Sequence, residues 1–450
     1  MKARRSNRKI TPFGGAIPVL KQIRDFKIPQ LIRSCLGLRV KQAKYGYEDV
    51  IIAWMLTNFC GGMRLDHITK LRKNLNIIPS HDTLDRVMKR LATDILSESG
   101  VHRSKRTYKD SIKKGSKTYK RITTRETDDN EQMNKLLASI TSKIGLLNKN
   151  KKYDLDLDVT PIYTEVKDAK KSYKDSRCFS PMVGCIYNLP VFIEMRNGNV
   201  SPGARILETT QKCIENLEEN NISIGRVRMD RGAYHGPTFE YLNKKNIKFV
   251  VGARKSKAMM DTLKTDKNAN WTPVYIQTSL YDWDCEAADF NWKLNGSKEN
   301  YRLVVLRMDR KSKTAKKGKY GKTPKTWVYG GTYAYKMIIT NDFKSTTKEL
   351  VEFYNQRGTS EKNFDVMKND FGWKLPPFSN MNENTVFLII AAITNNVYQA
   401  IINKLKKKVK QIRLNARLRD FIYTFMSVAC ELTKTECVFY DTNIAYEKIC

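Results

Sequence analysis

The segment 354–368 constrains this chain most, because its polar and apolar residues both recur at helical spacing. Thr346 and Glu349 form a capping-box pattern that marks a helix start, and no proline follows until Pro376. The pattern therefore predicts one continuous helix. At about 100° per residue, an arc of roughly 60° on that helix collects four polar residues: Tyr354, Arg357, Glu361 and Lys368. The adjoining arc carries Phe353, Phe364, Met367 and Phe371.

A solvated helix face held by charge pairs would account for these polar residues without any function. Their spacing, Tyr-x2-Arg-x3-Glu-x6-Lys, also resembles the signature helix of bacterial insertion-sequence transposases of the DDE type. Within that type it is similar to the insertion-sequence-four superfamily and its thirteen-eighty branch, also called DDE transposase group one. The resemblance covers about residues 10–410, and it requires two catalytic aspartates upstream of Glu361.

A strand with three aligned carboxylates supplies the first aspartate. Residues 153–160 alternate strictly, which predicts a β-strand with Leu155, Leu157 and Val159 on the face opposite the carboxylates. The carboxylate face carries Asp154, Asp156 and Asp158. Three aligned carboxylates repel each other unless positive charge lies opposite, and either a divalent cation or nearby lysines would satisfy them. The form Asp-x-Thr at Asp158 resembles the first catalytic aspartate of these transposases, and Asp156 is the fallback.

The second aspartate is Asp230, which ends a short strand just before Arg231 and Gly232. Taken alone, an aspartate in this setting is typical of a turn. The elements from residue 153 to residue 251 follow the order β-β-β-α-β-α-β. That order resembles the ribonuclease-H-like fold of the family, in which Asp230 takes the place of the second aspartate. Asp365 lies close to Glu361 on the helix, so these two could exchange roles; the family pattern favours Glu361.

The remaining segments complete an α/β chain with six parts. We expect an N-terminal helical DNA-binding domain (1–100), a basic linker and helix (101–150), the first part of a ribonuclease-H-like catalytic core with a mixed sheet flanked by helices (151–253), a mostly β insertion (254–337), the second part of the core (338–400) and a C-terminal basic helical region (401–450). The last includes an amphipathic helix over Lys404–Arg419.

In the N-terminal part, helices at Arg64–Lys73 and Thr83–Leu91 follow the pattern of a helix-turn-helix, but a plain packing unit would explain them equally well. Segment 103–125 holds ten lysines and arginines and is predicted to be a linker, or an arm that orders on binding. In some related enzymes a tryptophan of the insertion holds an extruded base; here Trp271, Trp283, Trp292 and Trp327 are available, and a core role is favoured for each one.

Composition agrees with a nucleic-acid partner. The chain has 82 Lys and Arg against 46 Asp and Glu, a net charge of +36 spread along its length. Its nine cysteines contain no Cys-x2-Cys pair, and four histidines provide no zinc spacing, which indicates reduced thiols in a cytoplasmic, nucleoid-associated protein. The longest purely apolar run, Val386–Ile393, is too short to cross a bilayer, so no membrane partner is expected.

The resemblance then implies a function. Asp158, Asp230 and Glu361 would hold two Mg²⁺ ions, or Mn²⁺ as a substitute, and all-oxygen ligands suit these hard cations. Tyr354, Arg357 and Lys368 would contact DNA. The partners would be double-stranded DNA at the transposon ends and target, and a second copy of the chain in a synaptic dimer. The alternatives are a ribonuclease-H-like nuclease without strand transfer and a non-catalytic DNA-binding protein derived from a transposase.

Overall fold

The structure is a computed structural model. It describes residues 8–74, 78–93, 103–114, 117–172, 174–265, 269–277, 282–294, 297–309, 327–433, 436–440, 444–446 and 449. Its helices are α1 (Ala16–Asp25), α2 (Ile28–Leu36), α3 (Tyr47–Phe59), α4 (Ile68–Asn74), α5 (His81–Leu91), α6 (Glu131–Lys143), α7 (Ile206–Glu219), α8 (Gly236–Lys244), α9 (Lys257–Thr265), α10 (Thr347–Asn355), α11 (Thr359–Asp370), α12 (Met381–Leu405) and α13 (Leu418–Phe421).

The strands are β1 (Ile10–Thr11), β2 (Arg103–Lys114), β3 (Lys117–Asp128), β4 (Lys152–Val159), β5 (Ile162–Tyr163), β6 (Lys170–Lys171), β7 (Arg177–Phe179), β8 (Met182–Ile186), β9 (Leu189–Arg196), β10 (Ser223–Met229), β11 (Lys248–Gly252), β12 (Thr272–Gln277), β13 (Asp282–Lys293), β14 (Asn300–Asp309), β15 (Val328–Gly330), β16 (Tyr333–Thr340), β17 (Cys430–Leu432) and β18 (Cys437–Phe439).

A large mixed sheet organises the molecule. Its central order is β9-β8-β4-β10-β11, in which β10 runs parallel to both β4 and β11 while β8 runs antiparallel to β4 and β9. With α7 between β9 and β10 and α8 between β10 and β11, the predicted β-β-β-α-β-α-β order is confirmed. The strand predicted over residues 153–160 matches β4, which begins and ends one residue earlier, because alternation of apolar and polar residues fixes a strand's position along the chain.

The segment 254–337 extends the same sheet instead of forming a separate one. It contains α9 and the antiparallel strands β12 to β15, and β16 joins them to the core by pairing with β11. Tyr301 and Leu303 of β14 share one apolar cluster with Leu155 of β4. The lysine-rich loop expected at Arg310–Lys325 lies outside the described residues.

The N-terminal helices pack on α12. This helix is long and apolar enough to cross a membrane by composition, but 94% of its most apolar window is buried inside the protein, as in a core helix. The Trp54 ring of α3 lies 5.8 Å from the Phe387 ring of α12, centroid to centroid. In α5 the apolar face is buried, as the packing interpretation predicted, while Arg86, Lys89 and Arg90 on its other face are exposed.

Two predicted segments have a different structure. Arg103–Lys114 (β2) and Lys117–Asp128 (β3) pair as antiparallel strands, where a linker or an arm that orders on binding was predicted. The predicted helix over Lys404–Arg419 is wrong: α12 ends at Leu405 and turns follow up to α13. Like charges close together on a helix are destabilising, and Lys406, Lys407, Lys408 and Lys410 crowd this segment. β17 then pairs with β1, so the C-terminal region is not wholly helical.

Candidate active site

The three aspartates of β4 each face an arginine. In the parallel register of β4 and β10, Asp154 lies beside Arg226 and Asp156 beside Arg228. The Arg226 guanidinium donates to both oxygens of Asp154 over 3.0 Å, and that of Arg228 donates to both oxygens of Asp156 over 2.6 Å. Arginines on the neighbouring strand therefore neutralise these two carboxylates, where the sequence indicated a cation or lysines.

Asp158 receives its arginine from outside the sheet. The Nη1 of Arg357 donates to Asp158 Oδ2 over 2.8 Å, and both side chains are largely buried. Burial raises the pKa of the Asp158 carboxyl to about 6; Arg357 opposes this rise, and the charge of Asp230 adds to it. Of the three aspartates on this face, Asp158 alone is held by an element that is not a neighbouring strand.

Asp230 lies next to Asp158. It follows Met229, whose register partner Leu157 precedes Asp158, so the two aspartates stand side by side near the carboxyl ends of parallel strands. Asp230 also forms the turn that its sequence predicts, because its Oδ1 accepts a hydrogen bond from the Ala233 backbone N–H over 3.2 Å. This bond caps a short 3₁₀ helix, Arg231–Ala233, and holds the half-buried carboxylate beside its neighbour.

The predicted continuous signature helix is wrong. It begins at its capping box, where Thr346 N–H donates to Glu349 Oε2 over 2.8 Å, but α10 ends at Asn355. A 3₁₀ turn, Gln356–Gly358, separates it from α11. Because a 3₁₀ helix turns 120° per residue and an α-helix turns 100°, the single polar arc predicted for Tyr354 to Lys368 does not hold. Gly358, a weak helix former, lies at the break.

The break places Arg357 against Asp158, with Tyr354 and Glu361 within electrostatic range of Arg357. Arg357 lies in the 3₁₀ turn; burial alone would lower its pKa, but the negative charges of Asp158, Asp230 and Glu361 raise it above its ordinary value. Tyr354, at the end of α10, is half-buried, and burial raises the pKa of its hydroxyl. Glu361 is exposed on the first turn of α11. Arg357 thus lies within electrostatic range of all three predicted metal ligands.

Lys336 is a site residue that the sequence analysis missed. Its amine lies 5.3 Å from the Tyr354 ring centroid and donates to Asn355 Oδ1 at the end of α10. Burial, and then the charge of Arg357, lower the pKa of this amine to about 7. The available signal was a lysine inside the apolar strand β16, where an ammonium group needs a partner.

The other polar residues of α11 lie farther along the helix. Lys368 is half-buried, and burial lowers the pKa of its amine despite the nearby charge of Asp365. Asp365 accepts a hydrogen bond from Arg417 Nη1 over 2.9 Å, and the same guanidinium forms a fork with Asp370. The alternative role for Asp365 therefore competes with an ion pair to the C-terminal region, whereas Glu361 is exposed and lies near Arg357.

The donor set suits a hard divalent cation. Asp158, Asp230 and Glu361 offer only carboxylate oxygens, which Mg²⁺ and Mn²⁺ prefer. Across the described ranges, however, no three His, Cys, Asp or Glu side chains lie close enough together to form a ready metal site. Arg357 supplies the positive charge at Asp158 instead.

The tryptophans of segment 254–337 differ in burial. Trp327 is buried, while Trp271 and Trp292 are half-buried. The guanidinium carbon of Arg307 lies 3.9 Å from the Trp271 ring centroid, so Arg307 covers one face of this ring. The side chain of Trp283 lies outside the described residues. A base-holding role for any of the four stays a prediction.

Comparison with known proteins defines the class. The family model "Transposase DDE domain group 1" matches residues 1–437. The chain belongs to this family of DDE transposases. Among solved structures, it is similar to "Cryo-EM structure of piggyBac transposase synaptic complex with hairpin DNA", with a TM-score of 0.40 and 12% sequence identity over 91% of this chain and 80% of that one. No curated protein matches the sequence.

Proposed function

We propose that the protein is a cut-and-paste DNA transposase of the insertion-sequence-four superfamily, thirteen-eighty branch. It would bind the terminal inverted repeats of its own insertion sequence, cleave phosphodiester bonds there and join the freed ends to target DNA. The observation that carries this proposal is the side-by-side placement of Asp158 and Asp230, with Arg357 of the broken helix bonded to Asp158 and Glu361 within electrostatic range of Arg357.

In this proposal the ribonuclease-H-like core holds the reaction centre. Asp158, Asp230 and Glu361 would bind a pair of Mg²⁺ ions, with Mn²⁺ as a substitute. Bound there, the two ions would lower the pKa of an attacking water or 3′-hydroxyl and neutralise the phosphoryl oxygens. Arg357 would offer its planar guanidinium fork to a DNA phosphate beside these carboxylates.

The remaining residues contribute to binding. Lys368 offers a point charge for a phosphate, and Tyr354 offers a ring and a hydroxyl next to Arg357. The net charge of +36 supports attraction to double-stranded DNA over long distances. In this proposal two copies of the chain pair the transposon ends, in a cytoplasmic, nucleoid-associated location.

Alanine substitution of each carboxylate tests the proposal. The substrate is a duplex carrying the terminal repeat of the element that encodes the chain, with Mg²⁺ or Mn²⁺ present. Because a bound metal stabilises the transition state by several kcal/mol, we expect Asp158→Ala, Asp230→Ala and Glu361→Ala each to lower the cleavage rate by at least about 100-fold. Mobility-shift measurements should show that binding of the repeat is retained.

Asp154→Ala is the matched control. Asp154 lies on the same face of β4, but it is half exposed and paired with Arg226, so this variant should cleave within about threefold of wild type. If the Glu361→Ala variant still cleaves the repeat, Glu361 is not a catalytic residue. A wild-type protein that binds the repeat and never cuts it, with either ion, would overturn the proposed function.

A further inference from the structure

Arg228 of β10 donates hydrogen bonds from all three nitrogens of its guanidinium. Its Nε and Nη2 donate to the two oxygens of Asp156, each over 2.6 Å. Its remaining terminal nitrogen, Nη1, donates to the backbone carbonyl of Phe353. One guanidinium therefore joins β10, β4 and the last turn of α10.

The hydrogen bond to Phe353 gives a partner to a backbone carbonyl at the end of α10. The last four carbonyls of an α-helix lack partners within the helix, and Phe353 supplies one of them because α10 ends at Asn355. The guanidinium carbon of Arg228 also lies 4.5 Å from the centroid of the Phe353 ring. Arg228 is 5% exposed, so these bonds form away from water, where a planar fork is strongest.

The three segments joined by Arg228 carry or adjoin Asp158, Asp230, Tyr354 and Arg357. Asp156 precedes Asp158 by two positions on β4, and Arg228 precedes Asp230 by two positions at the end of β10. Phe353 lies next to Tyr354 and just before the 3₁₀ turn that holds Arg357. Arg228 therefore links these segments through a side chain that is not itself one of the predicted reacting groups.

We infer that Arg228 is a positioning residue, which fixes the broken signature helix against the two aspartate-bearing strands. This inference rests on the proposed function. Arg228 does not reach the reacting phosphate in this arrangement; it sets the distance from Asp158 and Asp230 to Arg357 and Glu361. Misplacing a reacting group by about 1 Å lowers a rate by about 100-fold, so a rigid link here matters for catalysis.

Arg226 provides an internal comparison. It occupies the preceding outward position on β10, forms a fork with Asp154 over 3.0 Å, and stacks on the same Phe353 ring at 3.4 Å. Within the described part of the chain, its side-chain hydrogen bonds go to Asp154 and not to the helix. Arg226 thus shares the charge, the strand and the stacking of Arg228, and lacks the bond to α10.

A pair of matched double variants tests the inference. Arg228→Met with Asp156→Leu replaces a buried ion pair by apolar side chains, an exchange that often preserves stability, while removing the link to Phe353. Arg226→Met with Asp154→Leu is the control. For the first we expect terminal-repeat cleavage to fall by at least about 100-fold; the control should stay within about threefold of wild type.

Metal binding gives a readout that a purely structural role would leave unchanged. Mn²⁺ binding to the DNA-bound protein, followed by electron paramagnetic resonance, should weaken about 10- to 100-fold in Arg228→Met/Asp156→Leu, as for other residues that orient metal ligands. Wild-type cleavage and wild-type Mn²⁺ affinity in that variant would overturn the inference.

If the Arg228→Met/Asp156→Leu variant does not unfold cooperatively, and so is not properly folded, the Arg228→Lys variant tests the positioning role instead. Lysine keeps the charge beside Asp156 but cannot form a fork and a third bond together. Mn²⁺ affinity reduced about tenfold or more in this variant supports the inference, and unchanged affinity overturns it. A wild-type protein that neither cuts the repeat nor binds Mn²⁺ would instead overturn the proposed function, so the two failures are distinct.

Discussion

At the scale of single residues, Asp158 differs from the other two aspartates of its strand in its partner. Asp154 and Asp156 are paired by arginines of β10, whose positions follow from strand register. Asp158 is paired with Arg357, which lies 199 positions later in the chain, at a break between two helices. The alternating sequence predicted the carboxylate face. It could not predict which arginines pair with these carboxylates, because strand pairing and helix packing depend on residues that are far apart in sequence.

The raised pKa of Asp158 predicts a specific pH dependence. The carboxyl titrates near pH 6 when folded and near its ordinary value of 3.8 when unfolded. The folded protein therefore holds this proton more tightly, and the stabilisation is complete below about pH 4 and is lost as the pH rises through 6. Between those limits, the unfolding free energy of wild type should fall by about 3 kcal/mol relative to that of Asp158→Asn.

Urea unfolding of the two proteins in EDTA, from pH 4 to pH 8, measures this difference. The asparagine variant has no carboxyl to titrate at this position, so it isolates the contribution of Asp158 from those of the other acidic groups. Parallel curves for the two proteins would show that the Asp158 carboxyl titrates at its ordinary pKa, and the electrostatic description of the site would be wrong.

At the scale of elements, the break between α10 and α11 is the feature that local patterns did not reveal. The capping box correctly predicted where α10 begins. No capping pattern of this kind predicts where α10 ends. Its last turn is instead bonded by Arg228 of β10, a residue that is far away in sequence. The error over Lys404–Arg419 is of another kind: helical periodicity was present, but clustered lysines and the use of Arg417 in tertiary ion pairs outweighed it.

Two glycines near this break should respond oppositely to alanine. At Gly252, at the end of β11, an added Cβ would lie 2.5 Å from the Tyr354 hydroxyl and 3.0 Å from the Arg231 backbone nitrogen. At Gly358 an added Cβ meets nothing within 4 Å, and the backbone is already helical, with φ −57° and ψ −15°. Overpacking should cost Gly252→Ala about 1–3 kcal/mol, while Gly358→Ala should be stabilised by about 0.4–1 kcal/mol.

Thermal unfolding of both variants beside wild type checks this order, and cleavage assays show whether displacing Tyr354 also lowers activity. Each substitution adds the same methyl group, so each serves as the control for the other. A lower melting temperature for Gly358→Ala than for Gly252→Ala would contradict the packing described around the break.

At the scale of the whole molecule, one sheet runs from the hairpin β2–β3 through the aspartate strands to β12. The order of its central elements along the chain was predictable, because strand-like runs and helical patterns follow one another in the sequence. The continuation of the sheet into segment 254–337 was not, since the pairing of β16 with β11 joins residues far apart in sequence. The same holds for α12, whose apolar sequence predicted burial without identifying the N-terminal helices that cover it.

Joining of a DNA end to a target tests the central claim most directly, because strand transfer separates a transposase from a nuclease. The reaction contains a terminal-repeat duplex with a free 3′-hydroxyl, a supercoiled target plasmid and Mg²⁺, with wild type compared against Asp230→Ala and the control Asp154→Ala. We predict covalent end-to-plasmid products with wild type and Asp154→Ala, reduced at least about 100-fold with Asp230→Ala. Nicked plasmid without joined product would indicate a nuclease, bound repeat without any cleavage would indicate a non-catalytic DNA-binding protein, and either result would contradict the function proposed for this chain.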